Sequence, residues 1–126
     1  HAIGYALNWP ERRELPVDAL DLAAVGQLSF RAPDVARYPA LRLAREVMQA
    51  RGLSGAVFNA AKERALDHFI AGRIGFLAMS AIVEEVLTRL SSEKGLIDAE
   101  ITLDTVMHLD HLSRVCADDV VQKQDK

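Results

Sequence analysis

The first eleven residues, HAIGYALNWPE, set Ile3, Tyr5 and Leu7 against Ala2, Gly4 and Ala6. That period of two puts bulky side chains on one face and small ones on the other, with Pro10 closing the run, and it predicts a single β-strand. No later segment reads as a second strand. A strand's unpaired N–H and C=O groups need a neighbour, and even a two-stranded hairpin is marginal in water. Residues 1–12 are therefore expected to belong to a sheet outside this sequence, and the missing initial Met fits a piece of a longer protein. Left alone, Ala2 to Leu7 are expected to stay unpaired or to join the same strand of a second copy.

With 126 residues there is room for one domain and a tail. The formal net charge is -3, from 15 Lys and Arg against 18 Asp and Glu. The two signs are interspersed, which argues against a nucleic-acid or anionic-membrane surface. The longest apolar run, Phe76 to Val83, is less than half a membrane span. Cys116 is the one cysteine; it excludes an internal disulfide and fits a reducing compartment, so the cytoplasm is the expected location.

Residues 13–32 read as a linker. They hold Pro16 and Gly26, a helical turn around Ala19 to Val25 with Asp18 as its N-cap, and an extended stretch from Gln27 to Phe30. Residues 33–126 read as a helical-bundle domain. Leu41, Ala44, Val47 and Met48 follow Pro39 at helical spacing until Gly52, and Ser54 caps a second helix with the stripe Val57, Ala61, Ala65, Leu66 and Phe69. A third helix runs from about Leu77 to Leu90 with Ala78, Ile82, Val86 and Leu90 inward. After a loop over Ser91 to Ile101, Thr102 caps a last helical stretch with Leu103, Val106, Met107 and Leu109, breaking near Asp110 and resuming to about Val121. The fold class is mainly α: a four-helix bundle preceded by an extended linker and one orphan β-strand. Phe69, Ile82 and Val106 are expected in its core, with Met48, Met79 and Met107 as apolar filler.

Groups able to do chemistry are few. Asp104, His108 and His111 share the spacing of a helical metal site, yet no HExxH glutamate and no second cluster completes it, so they read as solvated or capping groups. Cys116 is followed by Asp118 and Asp119, the wrong charge for a reactive thiolate, and reads as a buried structural thiol. His68 and Asp67 are adjacent in a helix and point apart. Trp9 reads as packing at a domain junction. No phosphate-binding glycine loop, nucleophile elbow or paired-cysteine motif is present. The expected catalytic, cofactor-binding and metal residues are none.

Several short segments in order carry a resemblance. IGYALNWPERR, LDL at 20–22, LSFRAPDVARYPALRLA from Leu28 to Ala44, and NAAKE at 59–63 followed by Ala65 and Phe69 resemble the C-terminal part of the 1-deoxy-D-xylulose 5-phosphate reductoisomerase family. The resemblance spans about Ile3 to Val86 and then fades. Lys62 stands where the family more often shows a second Asn.

The resemblance implies a three-part parent: a dinucleotide-binding domain for NADPH, a catalytic domain holding Mg²⁺ or Mn²⁺ and gripping the substrate phosphate, and a C-terminal helical bundle. It implies metal-assisted rearrangement of the ketose phosphate followed by hydride transfer from NADPH, in a homodimer of the isoprenoid pathway. On this reading residues 1–12 are the terminal strand of the missing catalytic domain, the N-terminal domains of the same chain are the partners, and this 126-residue piece is structural and inactive. The alternative is a free-standing helical interaction module that donates Ile3 to Leu7 to a partner's sheet.

Overall fold

The structure, a computed structural model, describes residues 2–124. His1 of the expected strand segment and residues 125–126 of the expected helical domain lie outside them. The chain divides into two units, His1–Ala32 and Pro33–Lys126.

In the first unit the expected strand is a helix. Helix α1 spans Ala2–Asn8, and no strand occurs among the described residues. The physical reason lies in the backbone. A segment with no neighbouring strand satisfies its own N–H and C=O groups only by coiling, and Ala2, Ala6 and Leu7 are good helix formers. Two side-chain pairs at helical spacing support it: the Asn8 amide donates to the Gly4 carbonyl at 2.8 Å, and the Tyr5 and Trp9 rings meet edge to face at 5.3 Å. Trp9 is otherwise exposed, and among the described residues its ring partner is Tyr5. The short helix α2, Leu22–Val25, is capped by Asp21, not Asp18. The Asp21 carboxylate accepts from the N–H groups of Ala23 and Ala24.

The second unit holds α3 (Pro39–Ala50), α4 (Ser54–Ile70), α5 (Ala78–Ser92) and α6 (Leu103–Gln124). Pro39 occupies the first turn of α3, where its missing N–H is harmless. Helix α6 opens on a reciprocal cap. The Thr105 N–H donates to Thr102 Oγ1 at 3.1 Å and the Thr102 N–H donates to Thr105 Oγ1 at 2.9 Å. It then runs unbroken through Asp110, because neither Gly nor Pro follows Thr102 and nothing in that stretch forces an interruption. Ser54 is the first residue of α4 but caps the end of α3 instead. Its buried hydroxyl donates to the Arg51 carbonyl and lies 3.2 Å from the Val47 carbonyl, which also accepts the Arg51 N–H, so it adds side-chain bonds to the last turn of α3.

Helix α4 packs on α3, α5 and α6, and its inner face differs from the apolar stripe of the sequence. Val57, Ala61 and Ala65 are fully buried as expected, but Leu66 is 42% exposed and Phe69 37% exposed, whereas His68 is 5% exposed. Small residues decide this. Ala60, Ala61 and Ala65 of α4 and Ser113 and Ala117 of α6 are all fully buried, and side chains of that size let two backbones approach closely. The bulky Leu66 and Phe69 would hold the helices apart. On α3 the inward pair is Leu43 and Val47, while Leu41, Ala44 and Met48 face outward. Met48 and Met107 are exposed, Met79 is half-buried, and Val106 is half-buried where a core position was expected. On α5 Ile82, Val83, Val86 and Leu90 form the core with Leu109, Val120 and Val121 of α6.

The α3–α4 turn shows why a glycine stands at 52. Gly52 adopts φ +57°, and a Cβ there would lie 2.7 Å from the Ile97 carbonyl oxygen. That oxygen already accepts the Leu53 N–H at 3.0 Å. Gly52→Ala is expected to cost more than about 1 kcal/mol, because strain in the folded chain outweighs the entropy removed from the unfolded one. An unchanged urea midpoint would refute this account of the turn.

Candidate functional site

The densest cluster of ionisable groups joins α4 to α6. Arg64 and His68 lie one turn apart on α4, and Arg114 and Asp118 lie one turn apart on α6, so each pair presents one face. The Arg64 guanidinium is bidentate to Asp118, Nε to Oδ1 at 2.7 Å and Nη2 to Oδ2 at 3.1 Å. His68 Nε2 lies 2.6 Å from the same Oδ1, and His68 Nδ1 lies 3.4 Å from Arg73 Nη1. With the proton on Nε2 the ring donates to Asp118 and accepts from Arg73, so both nitrogens of a buried imidazole have partners. One layer away, Arg114 reaches Glu63 Oε2 at 2.7 Å on α4 and Asp110 Oδ2 at 2.8 Å on its own helix.

The electrostatics follow from these contacts. Arg64 foremost, with help from His68 and against the cost of burial, holds the Asp118 carboxyl below the usual carboxylate range. Arg114 holds Glu63 and Asp110 low in the same way, and the two carboxylates in turn keep Arg114 charged. Each carboxylate is engaged by a fixed cation. The arrangement clamps two helices; it does not present a free base or nucleophile, and His68 is closed off from solvent.

The other singled-out residues are dispersed. Asp104, His108 and His111 are exposed on α6, and among the described residues no group of three His, Cys, Asp or Glu side chains gathers as a metal site would. Cys116 is half-buried, and burial pushes its thiol up, away from the thiolate form. Lys62 Nζ donates to the Asn59 side-chain Oδ1 at 3.1 Å while Asn59 Nδ2 donates to Glu63 Oε1 at 3.2 Å, so the NAAKE segment keeps a continuous chain of hydrogen bonds into the Arg114 cluster. His68 and Asp118 escaped the sequence reading as partners. His68 does continue the 57, 61, 65 spacing on α4, but its carboxylate partner comes 50 residues later.

Two grooves open on the second unit. One, of about 290 Å³, is apolar and lined by Leu43, Phe58, Lys62, Leu66, Phe76 and Met79 among others. The other, of about 400 Å³, lies beside Glu46, Val47, Ser54, Glu84, Leu87 and Thr88. The Arg64, His68 and Asp118 side chains line neither. No helix among the described residues is long and apolar enough to cross a membrane.

Against known proteins, the family model for the DXP reductoisomerase C-terminal domain matches residues 1–116. The chain is similar to the 1-deoxy-D-xylulose 5-phosphate reductoisomerase of Ruegeria pomeroyi, 71% identical over 98% of this chain and 31% of the relative. It is also similar to that of Cereibacter sphaeroides, 60% identical over 94% of this chain and 30% of the relative. The chain thus spans about 30% of the length of the curated relatives it matches. Among solved structures it resembles 1-deoxy-D-xylulose 5-phosphate reductoisomerase from Zymomonas mobilis in complex with NADPH, at TM-score 0.78 and 37% identity over 94% of this chain and 30% of that one. A DOX-P reductoisomerase in complex with NADPH, fosmidomycin and magnesium matches at TM-score 0.75 and 27% identity, over 98% of this chain and 31% of that one.

Proposed function

We propose, since this chain belongs to the DXP reductoisomerase C-terminal domain family, that it is part of an NADPH- and divalent-metal-dependent reductoisomerase. The reaction is conversion of 1-deoxy-D-xylulose 5-phosphate to 2-C-methyl-D-erythritol 4-phosphate in isoprenoid biosynthesis. The observation that carries this reading is identity of 71% along nearly the whole chain to a reductoisomerase about three times as long. Residues 1–12 are then the end of the catalytic domain, 13–32 a linker and 33–126 the helical domain. The interspersed charges and single cysteine support a cytoplasmic enzyme that uses neither nucleic acid nor membrane, and we read it as a homodimer.

The chain's own residues do not fit NADPH or Mg²⁺. The carboxylates that cluster are Glu63, Asp110 and Asp118, and each is held by an arginine, where a divalent ion needs free oxygen ligands. Among the described residues Gly72 and Gly75 precede α5, but they follow a helix and not a strand, so they do not form the strand-turn-helix cradle that holds a pyrophosphate. We therefore assign no catalytic, cofactor-binding or metal-binding residue to this chain. Its role is structural: the Arg64, His68, Asp118 and Arg114 clamps fix α4 against α6 and keep the bundle rigid beside the reacting parts.

The test compares the full-length protein carrying this sequence with the 126-residue chain. The full-length protein is expected to oxidise NADPH when given 1-deoxy-D-xylulose 5-phosphate and Mg²⁺; the short chain is not. A ligand at about one hundred times its dissociation constant stabilises a fold by roughly 2.7 kcal/mol, which at this size raises the melting temperature on the order of ten degrees. For the short chain with millimolar NADPH and Mg²⁺ the expected rise is less than about one degree, the scale of ordinary ionic effects. A saturable NADPH-specific rise of several degrees would place part of the cofactor site here and overturn the structural role.

A further inference from the structure

The groove between α3, α4 and α5 is walled by Phe58, Leu66, Phe76 and Met79, with Lys62 as its charged member. The Phe69 ring extends it, meeting Phe76 edge to face at 5.8 Å. Phe76 is 67% exposed and Leu66 and Phe69 are well exposed too. Leu66 and Phe69 stand on the outer side of a helix whose inner face is already filled by Val57, Ala61 and Ala65, so folding of the bundle does not require them to be large and apolar. A contiguous exposed apolar cluster of this kind marks a surface that something covers.

We propose that this groove docks the rest of the reductoisomerase polypeptide, the part that the relatives carry outside the stretch matched here; the inference rests on the functional reading above. The chain accounts for only 31% of the relative's length, so most of such an enzyme is available to cover it. Domains within one chain meet through interfaces of about 600–1,500 Å². Covalent attachment also sets the effective concentration of the partner surface at about the millimolar level. A second copy present at micromolar concentration cannot compete with a tethered segment for the same groove. The rim is not strongly charged, with Lys62 already occupied by Asn59, which suits a largely apolar protein surface as the occupant.

Hydroxyl-radical footprinting of the full-length protein tests this. Leu66 and Phe76 are expected to be as protected as the buried Leu109, after correction for intrinsic reactivity, and Leu103 on the exposed start of α6 to react freely. Leu66 and Phe76 reacting as freely as Leu103 would overturn the proposal. So would protection that is lost once the protein is diluted until it runs as a monomer, since that is the behaviour of a second copy. A second readout is Phe76→Glu, expected to lower the melting temperature of the full-length protein; no change would count against docking. The NADPH oxidation assay on the same preparation separates the two readings. Protection without activity removes the functional assignment and keeps the docking, and activity with an open groove does the reverse.

Discussion

Ile82→Ala is expected to destabilise the helical unit by about 2–5 kcal/mol, the range for emptying a core site that cannot collapse. Ile82 is 0% exposed on α5, in the same cluster as Val57, Val86 and Leu109. Phe69→Ala is expected to cost less despite the larger side chain, because Phe69 already meets water over more than a third of its surface. Urea midpoints of the two variants give the comparison directly. A larger loss at Phe69 than at Ile82 would mean that the inner face of α4 has been misassigned.

Removing the Asp118 carboxylate is expected to have the next largest effect. Asp118→Ala leaves the Arg64 guanidinium and the buried His68 Nε2–H without their acceptor. Hydrogen bonds to charged groups contribute about 1.5–3 kcal/mol each, and partial exposure of the Asp118 side chain places the result toward the lower end. The pH dependence has a definite sign. Arg64 and then His68 hold the folded-state Asp118 below its usual range, so the unfolded chain takes up protons first as pH falls. The stabilisation is present in full above the unfolded value of about 4 and is lost as pH drops from there through the folded value. Glu63 and Asp110, held low by Arg114, add to the loss in the same direction. Equilibrium unfolding followed from neutral pH down through that window should show a falling midpoint, and a shallower fall in Asp118→Ala. Identical pH profiles for the two proteins would remove Asp118 from this role.

The helical unit was largely legible because its signals are local. Pro39 at a first turn, Gly52 after α3, Thr102 as the cap of α6 and the three- and four-residue spacing of apolar residues all act within one turn of the chain. The family likewise followed from short segments read in order.

What was not legible depended on partners far away in the chain. The alternation at Ile3, Tyr5 and Leu7 describes a strand only where another strand is present to accept it; without one, α1 forms. Hydrophobicity placed Leu66 and Phe69 inside α4, but the close contact with α6 selected its alanines and His68 instead. So residue type and local spacing determined α3 to α6, the Thr102 cap and the family to which the chain belongs. Only tertiary structure decided which face of each helix is inside and that His68 pairs with Asp118, because packing distance and the satisfaction of buried polar atoms are settled between segments 50 residues apart.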